Sequence, residues 1–256
     1  MRPPYPGTGW HPTRAVIVER SMDPEWLSNA YLVADRSGGT AVFVDSGAPI
    51  PPLLAAVDRL EVQVTHLLTT HAHGDHIANH RELEERFGLR VIAAEDEGIE
   101  GAEPLGHGEI VETGDLRIEA LRTPGHTRGM LAFVVDGEAC FTGDTLFAGS
   151  VGGTTDAFDD LRRSVMDVLM GLPHETAVYP GHSEETTIGR EWDANPFVRV
   201  WRGVDPEGTE RCHVGGAEGT LVVWGRDYDG GGKAWVRFRD GRDAIVGGSR
   251  VERAGH

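Results

Sequence analysis

Lysine and cysteine are scarce in this chain of 256 residues. Lys233 is the only lysine, and 41 acidic against 24 basic residues give a net charge of −17. No basic face for a nucleic-acid backbone is therefore expected. Cys140 and Cys212 are far apart and form no CxxC pattern, which predicts isolated thiols rather than a disulfide or a cysteine-bound zinc ion.

Long apolar runs are also missing. No stretch approaches the roughly 18 apolar residues that a membrane span requires. Met1 to Trp10 is rich in proline and glycine and lacks the apolar run of a signal peptide. We therefore expect a cytoplasmic protein that does not contact a membrane. Its length and composition fit one globular domain with a small appendage, and leave open whether it forms a homo-oligomer.

Short runs rich in Val, Ile, Tyr and Phe alternate with helical patterns, which predicts an α/β fold. The order of strands followed by a helix in each of two halves favours sheets inside and helices outside. The predicted helices are 51–60, 77–87, 156–172 and 183–192. The predicted strands are 14–19, 30–34, 41–45, 62–70, 90–94, 109–113, 116–122, 130–135, 138–142 and 177–179.

Four predicted strands are each followed by a potential metal ligand: His71, His126, Asp144 and His182. In α/β proteins the loops beyond the carboxyl ends of strands converge on one edge. Ligands that are distant in sequence can therefore meet there, and the pattern predicts one shared site.

Residues 71–76, with the sequence HAHGDH, carry three imidazoles and one carboxylate. These are the ligands that zinc and other first-row metals prefer. Spacing by two in an extended segment puts the rings of His71 and His73 on one side, while Asp75 and His76 begin the next helix. His126, Asp144 and His182 bring the number of candidate ligands to seven. This number is too large for one catalytic zinc ion and suits two ions. The alternative interpretation is that Asp75 only caps the following helix and that the histidines are surface residues.

Four motifs resemble those of the metallo-β-lactamase superfamily in order and spacing: residues 71–76, 123–127, 143–147 and 179–182. The resemblance covers about residues 14–196. It implies an αββα sandwich with the site at one edge, to which the remaining residues add a small C-terminal antiparallel β appendage. It also implies a first metal held by His71, His73 and His126, a second held by Asp75, His76 and His182, and a bridging Asp144.

Asp144 limits the resemblance to certain branches of the family, because members that hydrolyse antibiotics lack a bridging carboxylate at this point. Glyoxalase II-like hydrolases, lactonases, tRNA-processing nucleases and persulfide dioxygenases have one. Residues 143–156, 185–191 and 195–197 resemble the glyoxalase II-like (hydroxyacylglutathione hydrolase-like) group. Gly153 stands where those relatives carry an arginine, and the helical domain that binds glutathione is not visible. The expected substrate is therefore a small ester, thioester or lactone other than a glutathione thioester.

The implied cofactor is two divalent metal ions, zinc first, with iron or manganese as alternatives. Metal-bound water with a pKa of roughly 7 is the expected nucleophile, and Asp75 is the predicted catalytic residue that orients it and passes its proton to the leaving group. Two alternatives stay open. One is an iron-dependent persulfide dioxygenase that uses His71, His126 and Asp144. The other is a non-enzymatic protein with structural metals, which open coordination positions disfavour.

Asp45, directly after a strand, is predicted to approach the ligands and fix an imidazole tautomer. Beyond residue 196 the pattern predicts a small antiparallel β unit that packs on the main domain. Trp224, Tyr228 and Trp235 there are either core residues or line a substrate entrance or dimer contact. The predicted domains are 14–196 and 197–256, the predicted strands of the β unit are 220–224, 233–238 and 243–246, and 227–232 is an exposed turn. Ordinary roles are expected for His11, His66, His80, His107, His174, His213 and His256.

Overall fold

The computed structural model describes residues 16–253. The expected absence of a signal peptide from Met1 to Trp10, and the histidines His11 and His256, lie outside these residues. Within them, no helix is both long enough and apolar enough to cross a membrane.

The first of two six-stranded sheets is antiparallel at one edge and parallel elsewhere. Its strands β1, β2 and β3 pair antiparallel, whereas β3, β4, β5 and β6 pair parallel. In spatial order the strands are β1 (Ile17–Met22), β2 (Asn29–Ala34), β3 (Thr40–Val44), β4 (Gln63–Leu68), β5 (Arg90–Ala93) and β6 (Glu103–Pro104).

Three strands of the second sheet run in the same direction. Its strands are β7 (Ile110–Thr113), β8 (Leu116–Arg122), β9 (Leu131–Val135), β10 (Ala139–Gly143), β13 (Ala177–Pro180) and β14 (Thr186–Thr187), and β11 (Leu146–Phe147) and β12 (Ser150–Val151) form a separate hairpin. Both β8 and β10 pair antiparallel with β9, and β13 runs parallel to β10. The carboxyl ends of β8, β10 and β13 therefore lie at one end of the sheet.

The two sheets pack face to face, with helices on both outer faces. Tyr31 and Val33 of the first sheet pack against Phe133 and Phe141 of the second. The helices are α1 (Pro51–Leu60), α2 (Gly74–Ile77) and α3 (His80–Phe87) on the first half, and α4 (Phe158–Arg163), α5 (Ile188–Ala194) and α6 (Pro196–Trp201) on the second. Buried leucines of α1 and α3 join the cluster on the outer face of the first sheet. The predicted αββα arrangement is confirmed.

The helices differ from the prediction in three places. The predicted helix 156–172 is α-helical only over α4 and continues as a π-helix and a 3₁₀-helix to Gly171. The predicted helix 77–87 is broken at Asn79, whose side chain donates hydrogen bonds to the carbonyls of Ser46 and Ala48. The stretch 183–192 is irregular over its first three residues, then forms β14, and becomes helical only in α5. Apolar periodicity marks which residues are buried, but these local hydrogen bonds set the pitch and the ends.

A third, five-stranded antiparallel sheet forms the C-terminal unit. Its strands, in spatial order, are β18 (Asp243–Gly247), β17 (Gly232–Phe238), β16 (Ala217–Arg226), β15 (Glu210–Val214) and β19 (Val251–Arg253). The pattern had predicted only β16, β17 and β18. Strand β19 was missed because its side chains are charged or half exposed and carry little apolar alternation.

This C-terminal sheet shares a core with the main body. Trp235 and Ile245 belong to the same buried cluster as Phe158 of α4, and the Trp235 and Phe158 ring centroids are 4.9 Å apart. Thr154, in the loop before α4, exchanges two backbone hydrogen bonds of 2.8 Å with Ile245. The sheet is therefore attached through both apolar and backbone contacts.

Because Trp235 is 4% exposed within this shared core, we expect Trp235→Ala to lower the free energy of unfolding by about 3–5 kcal/mol. Urea denaturation followed by circular dichroism and fluorescence should show one transition for the whole chain. Trp224→Ala is the control, since Trp224 lies in the same sheet but is 41% exposed. A separate early transition of the C-terminal sheet would contradict the shared core.

Candidate metal centre

The loops that follow β4, β8, β10 and β13 meet at one edge of the sandwich. They bring all seven predicted ligands together, in three overlapping groups within which the ligand atoms lie no more than 4.8 Å apart. These groups are His71, His73 and His126; His71, His76 and Asp144; and Asp75, His76 and His182.

The first group consists of three imidazoles that point at a common centre. His73 Nδ1 lies 3.1 Å from His71 Nε2 and 3.0 Å from His126 Nε2. Four tetrahedral ligands at about 2.05 Å from a zinc ion would lie about 3.3 Å from one another. The spacing of these nitrogens therefore fits one ion with a coordination position left open.

The group of Asp75, His76 and His182, called the second ligand group below, combines imidazoles with a carboxylate. His182 Nε2 lies 3.4 Å from Asp75 Oδ2 and 3.4 Å from Asp144 Oδ2. Asp144 also reaches His76 Nε2 at 3.4 Å through Oδ1 and His126 Nε2 at 3.5 Å through Oδ2. The Asp144 carboxylate thus lies between this second ligand group and the first, which is formed by His71, His73 and His126.

Buried polar atoms in the centre lack ordinary partners. His76 Nε2 and Asp144 Oδ1 are buried, and neither forms a hydrogen bond within residues 16–253. Buried polar atoms are rarely left unpaired, so each such case needs an explanation. A cation between them would satisfy both, and the imidazole and carboxylate donor set suits zinc, iron or manganese.

The pKa values of the ligands follow from burial and from the neighbouring charges. Burial, and then the nearby His76, hold the pKa of His71 well below its usual value, so this ring is neutral and its nitrogen is free for a metal. Burial opposes protonation of His182, but Asp144 and Asp75 raise its pKa to about 9. The pair of carboxylates therefore attracts positive charge to this position.

Asp45 supports the ligands from behind. Its Oδ2 accepts hydrogen bonds from His76 Nδ1 at 2.9 Å and from the Thr70 hydroxyl at 2.8 Å, and its Oδ1 accepts one from the Thr70 amide at 2.8 Å. The Thr70 oxygen lies 3.0 Å from His71 Nδ1. Asp45 has a φ of 56°, in the left-handed region that is uncommon outside glycine. One strained aspartate thus supports His76 directly and His71 through Thr70.

Two further groups hold ligand loops and carry no motif in the sequence. Glu97 accepts hydrogen bonds from the Ala72 amide at 2.7 Å and from the Thr127 hydroxyl at 2.6 Å, which joins the loop of His71 to that of His126. The Gly153 carbonyl lies 2.9 Å from His126 Nδ1. Sequence reasoning missed both, because a single glutamate and a backbone carbonyl give no pattern.

Tyr228 of the C-terminal sheet lies against the centre. Its ring stacks on the His182 ring, with centroids 4.1 Å apart and planes inclined by 12°. The turn 227–232 had been predicted as exposed, yet the Asp227 side chain is 5% exposed and Tyr228 is half buried. In the same unit, Trp235 is buried in the core and Trp224 is 41% exposed.

The other described histidines do not join the ligand groups. His80 is buried and its Nε2 lies 3.1 Å from the Thr69 hydroxyl, and His66 is half buried in β4. His107, His174 and His213 are exposed.

A cleft of about 600 Å³ opens beside His126. One wall is the loop that contains Gly153 and Thr154, and another is formed by Ile245 and Arg250 of the C-terminal unit. Substrate-sized space therefore lies next to the first metal group, and the C-terminal sheet helps to enclose it.

Comparisons with known proteins agree with this geometry. Residues 23–182 match the family model described as Metallo-beta-lactamase superfamily. A hydroxyacylglutathione hydrolase of Rhizobium meliloti (strain 1021) is 37% identical over 180 residues, which cover 69% of this chain and 66% of that protein, just under two thirds of its length. The crystal structure of ETHE1 from Myxococcus xanthus has a TM-score of 0.66 and 33% identity, covering 72% of this chain and 85% of that one. The structure of TTHA1623 in a di-iron-bound form has a TM-score of 0.57 and 31% identity, covering 69% and 98%.

Because Asp144 lies between the two ligand groups, we expect Asp144→Ala to weaken the binding of both ions, whereas His182→Ala weakens mainly the second. Elemental analysis after metal reconstitution should show about two ions per wild-type chain. His66→Ala, outside the ligand groups, serves as control and should retain both. Full occupancy of both sites in Asp144→Ala would show that this carboxylate does not bridge.

Gly181 gives a test in which no ligand residue is substituted. A Cβ at this position would lie 2.2 Å from Asp144 Oδ1 and 2.7 Å from His76 Cε1, and both contacts are too short, so Gly181→Ala must disturb the position of these ligands. We expect metal affinity to fall by about 10- to 100-fold, as when the support of a ligand is lost. In Gly74→Ala the added Cβ meets nothing within 4 Å, and affinity should not change. Isothermal titration of both metal-free variants with Zn²⁺ compares them, and equal affinities would contradict the close approach.

Proposed function

The chain belongs to the metallo-beta-lactamase superfamily, and on that basis we propose that it is a binuclear metal-dependent hydrolase of a small carbonyl ester or thioester. The observation that carries the proposal is the position of Asp144, whose oxygens lie 3.4–3.5 Å from nitrogens of both ligand groups. A carboxylate shared in this way suits two ions and is not needed for one.

The residues fit zinc, iron or manganese, with zinc as our first choice. When bound, two such ions polarise a substrate carbonyl and make a water molecule nucleophilic at neutral pH. The similar structure of TTHA1623 is in a di-iron-bound form, which supports a two-ion centre here.

Asp75 is the proposed proton carrier. Its Oδ2 lies 3.4 Å from His182 Nε2 and 3.8 Å from His76 Nε2. Burial acts to raise the pKa of Asp75, but these histidines outweigh it and lower the pKa, so the carboxylate is ionised near neutral pH. An ionised carboxylate at this position can accept a proton from the attacking water and deliver it to the leaving group.

The cleft beside His126 is the proposed substrate site. Gly153 places no side chain in it, where the glyoxalase II-like resemblance implied an arginine. Arg128 and Arg250 are among the residues that line it. We therefore propose that the substrate is a small-molecule thioester or ester other than a glutathione thioester.

Cys140 and Cys212 are both free and buried, which agrees with action in the reducing cytoplasm.

A second candidate function is a mononuclear iron persulfide dioxygenase. His71, His126 and Asp144 supply two imidazoles and one carboxylate, the ligand set of many non-haem iron oxygenases, and the similarity to ETHE1 favours it. This reaction would consume oxygen, whereas hydrolysis would not.

A substrate panel separates the two. Thioesters, esters, lactones, phosphodiesters and glutathione persulfide are assayed with protein reconstituted with zinc, iron or manganese, and thiol release is followed beside oxygen uptake. Hydrolysis of a thioester or ester without oxygen uptake supports the proposal. Oxygen uptake with glutathione persulfide, with every ester and thioester left intact, would replace it by the oxygenase.

We expect Asp75→Asn to retain much of its metal, because the amide oxygen can still occupy the ligand position. Loss of proton transfer should lower kcat by about 10²- to 10⁴-fold. The measurement compares kcat with metal content for the variant and the wild type at matched occupancy. A rate that falls only in proportion to the metal lost would show that Asp75 is a ligand and no more.

A further inference from the structure

The histidines of the centre differ in how their second ring nitrogen is held. The Nδ1 atoms of His71, His76 and His126 each have the hydrogen-bond partner described above. His182 Nδ1 is buried, and within residues 16–253 it has no hydrogen-bond partner. Metal-bound imidazoles usually depend on such a partner for their orientation. His182 must therefore be oriented by something else.

Aromatic rings surround the His182 imidazole. Tyr228 stacks on its face at 4.1 Å, and the edge of Phe147 approaches it at 5.8 Å with an interplanar angle of 83°. Phe147 and Tyr228 also contact each other, with centroids 5.4 Å apart. Both stacked and edge-on contacts stabilise pairs of aromatic rings. The stack fixes the plane of the His182 ring and leaves Nε2 directed at the carboxylates.

Tyr228 is itself held by a buried ion pair. It lies in the turn between β16 and β17, where its amide donates to Asp227 Oδ1 at 3.0 Å. Asp227 Oδ2 lies 2.8 Å from the ammonium of Lys233, and their side chains are 5% and 8% exposed. The same ammonium lies 5.5 Å from the centre of the Tyr228 ring. The only lysine of the chain thus fixes the turn that carries Tyr228.

We propose that Tyr228 is a positioning residue for the second metal site: its stacked ring holds the His182 imidazole in the orientation for binding a divalent cation, in place of the missing hydrogen bond. This inference rests on the proposed binuclear function. The C-terminal sheet thereby contributes to a centre whose ligands all lie in the main body. The essential part of Tyr228 is its ring, so the hydroxyl is dispensable.

The test compares variants that keep or remove the ring. Tyr228→Leu removes it, Tyr228→Phe keeps it, and Trp224→Leu removes an aromatic ring from the same sheet away from the ligands. Each metal-free protein is titrated with Zn²⁺ in a calorimeter. In Tyr228→Leu we expect the second ion to bind about 10- to 100-fold more weakly while the first binds as in the wild type. Tyr228→Phe and Trp224→Leu should bind both ions like the wild type.

The outcomes separate this inference from the proposed function. A wild type that binds no second ion would overturn the binuclear function. A wild type that binds two, with Tyr228→Leu binding both equally tightly, would overturn the role of Tyr228 alone. Equal weakening of both ions in Tyr228→Leu, together with a lower Tm, would mean general destabilisation and would also overturn it.

A second measurement needs no ring-removing variant. In the metal-free protein, the stacked Tyr228 ring should shift the His182 ring protons upfield in the proton NMR spectrum, with His182→Ala providing the assignment. Tyr228→Phe should preserve the shift. Unshifted His182 protons in the wild type would contradict the stack whether or not Tyr228→Leu folds.

Discussion

The candidate metal centre is organised around the buried carboxylate of Asp144. This side chain follows directly after β10, in the middle of the strands whose carboxyl ends share one edge of the second sheet. Three imidazoles from three other loops approach it within 3.5 Å. A charge buried so deeply is tolerated only with strong compensation, and the chain provides it by bringing histidines rather than lysine or arginine to the site. Imidazole is the group that can exchange its proton for a metal ion.

The sandwich makes this arrangement possible because both sheets end at the same edge. The first sheet supplies the loop after β4 with His71, His73, Asp75 and His76, and the second supplies the remaining ligands. Residues that are not ligands hold the loops in place: Glu97 accepts hydrogen bonds from the loop of His71 and from that of His126, and Asp45 accepts them from Thr70 and His76 of the loop after β4. Ligand geometry is therefore a property of the packed sheets, and a single loop would not maintain it.

The sequence was informative where chemistry and periodicity coincide. Ligand-type residues after short apolar strands predicted that seven side chains lie together, and the two-half order predicted the layers. The break at Asn79 and the π-helical turn in 164–168 were not predictable, because apolar spacing does not report the hydrogen bonds that set helical pitch. Glu97, the Gly153 carbonyl and the Tyr228 stack were missed for a related reason. Each depends on segments distant in sequence coming together, and no local pattern records that approach.

The attachment of the C-terminal sheet at two places has a thermodynamic consequence. Thr154, next to the carbonyl that holds His126, pairs with Ile245, and Tyr228 stacks on His182, so the sheet contacts both candidate ligand groups or their supports. A metal ion that binds the folded protein but not the unfolded chain stabilises the folded protein by RT ln(1 + [L]/Kd), where [L] is the free metal concentration. The free metal concentration would then set the fraction of molecules in which the C-terminal sheet is detached. When metal is scarce, this fraction would rise and proteolysis of the C-terminal part of the chain would become faster.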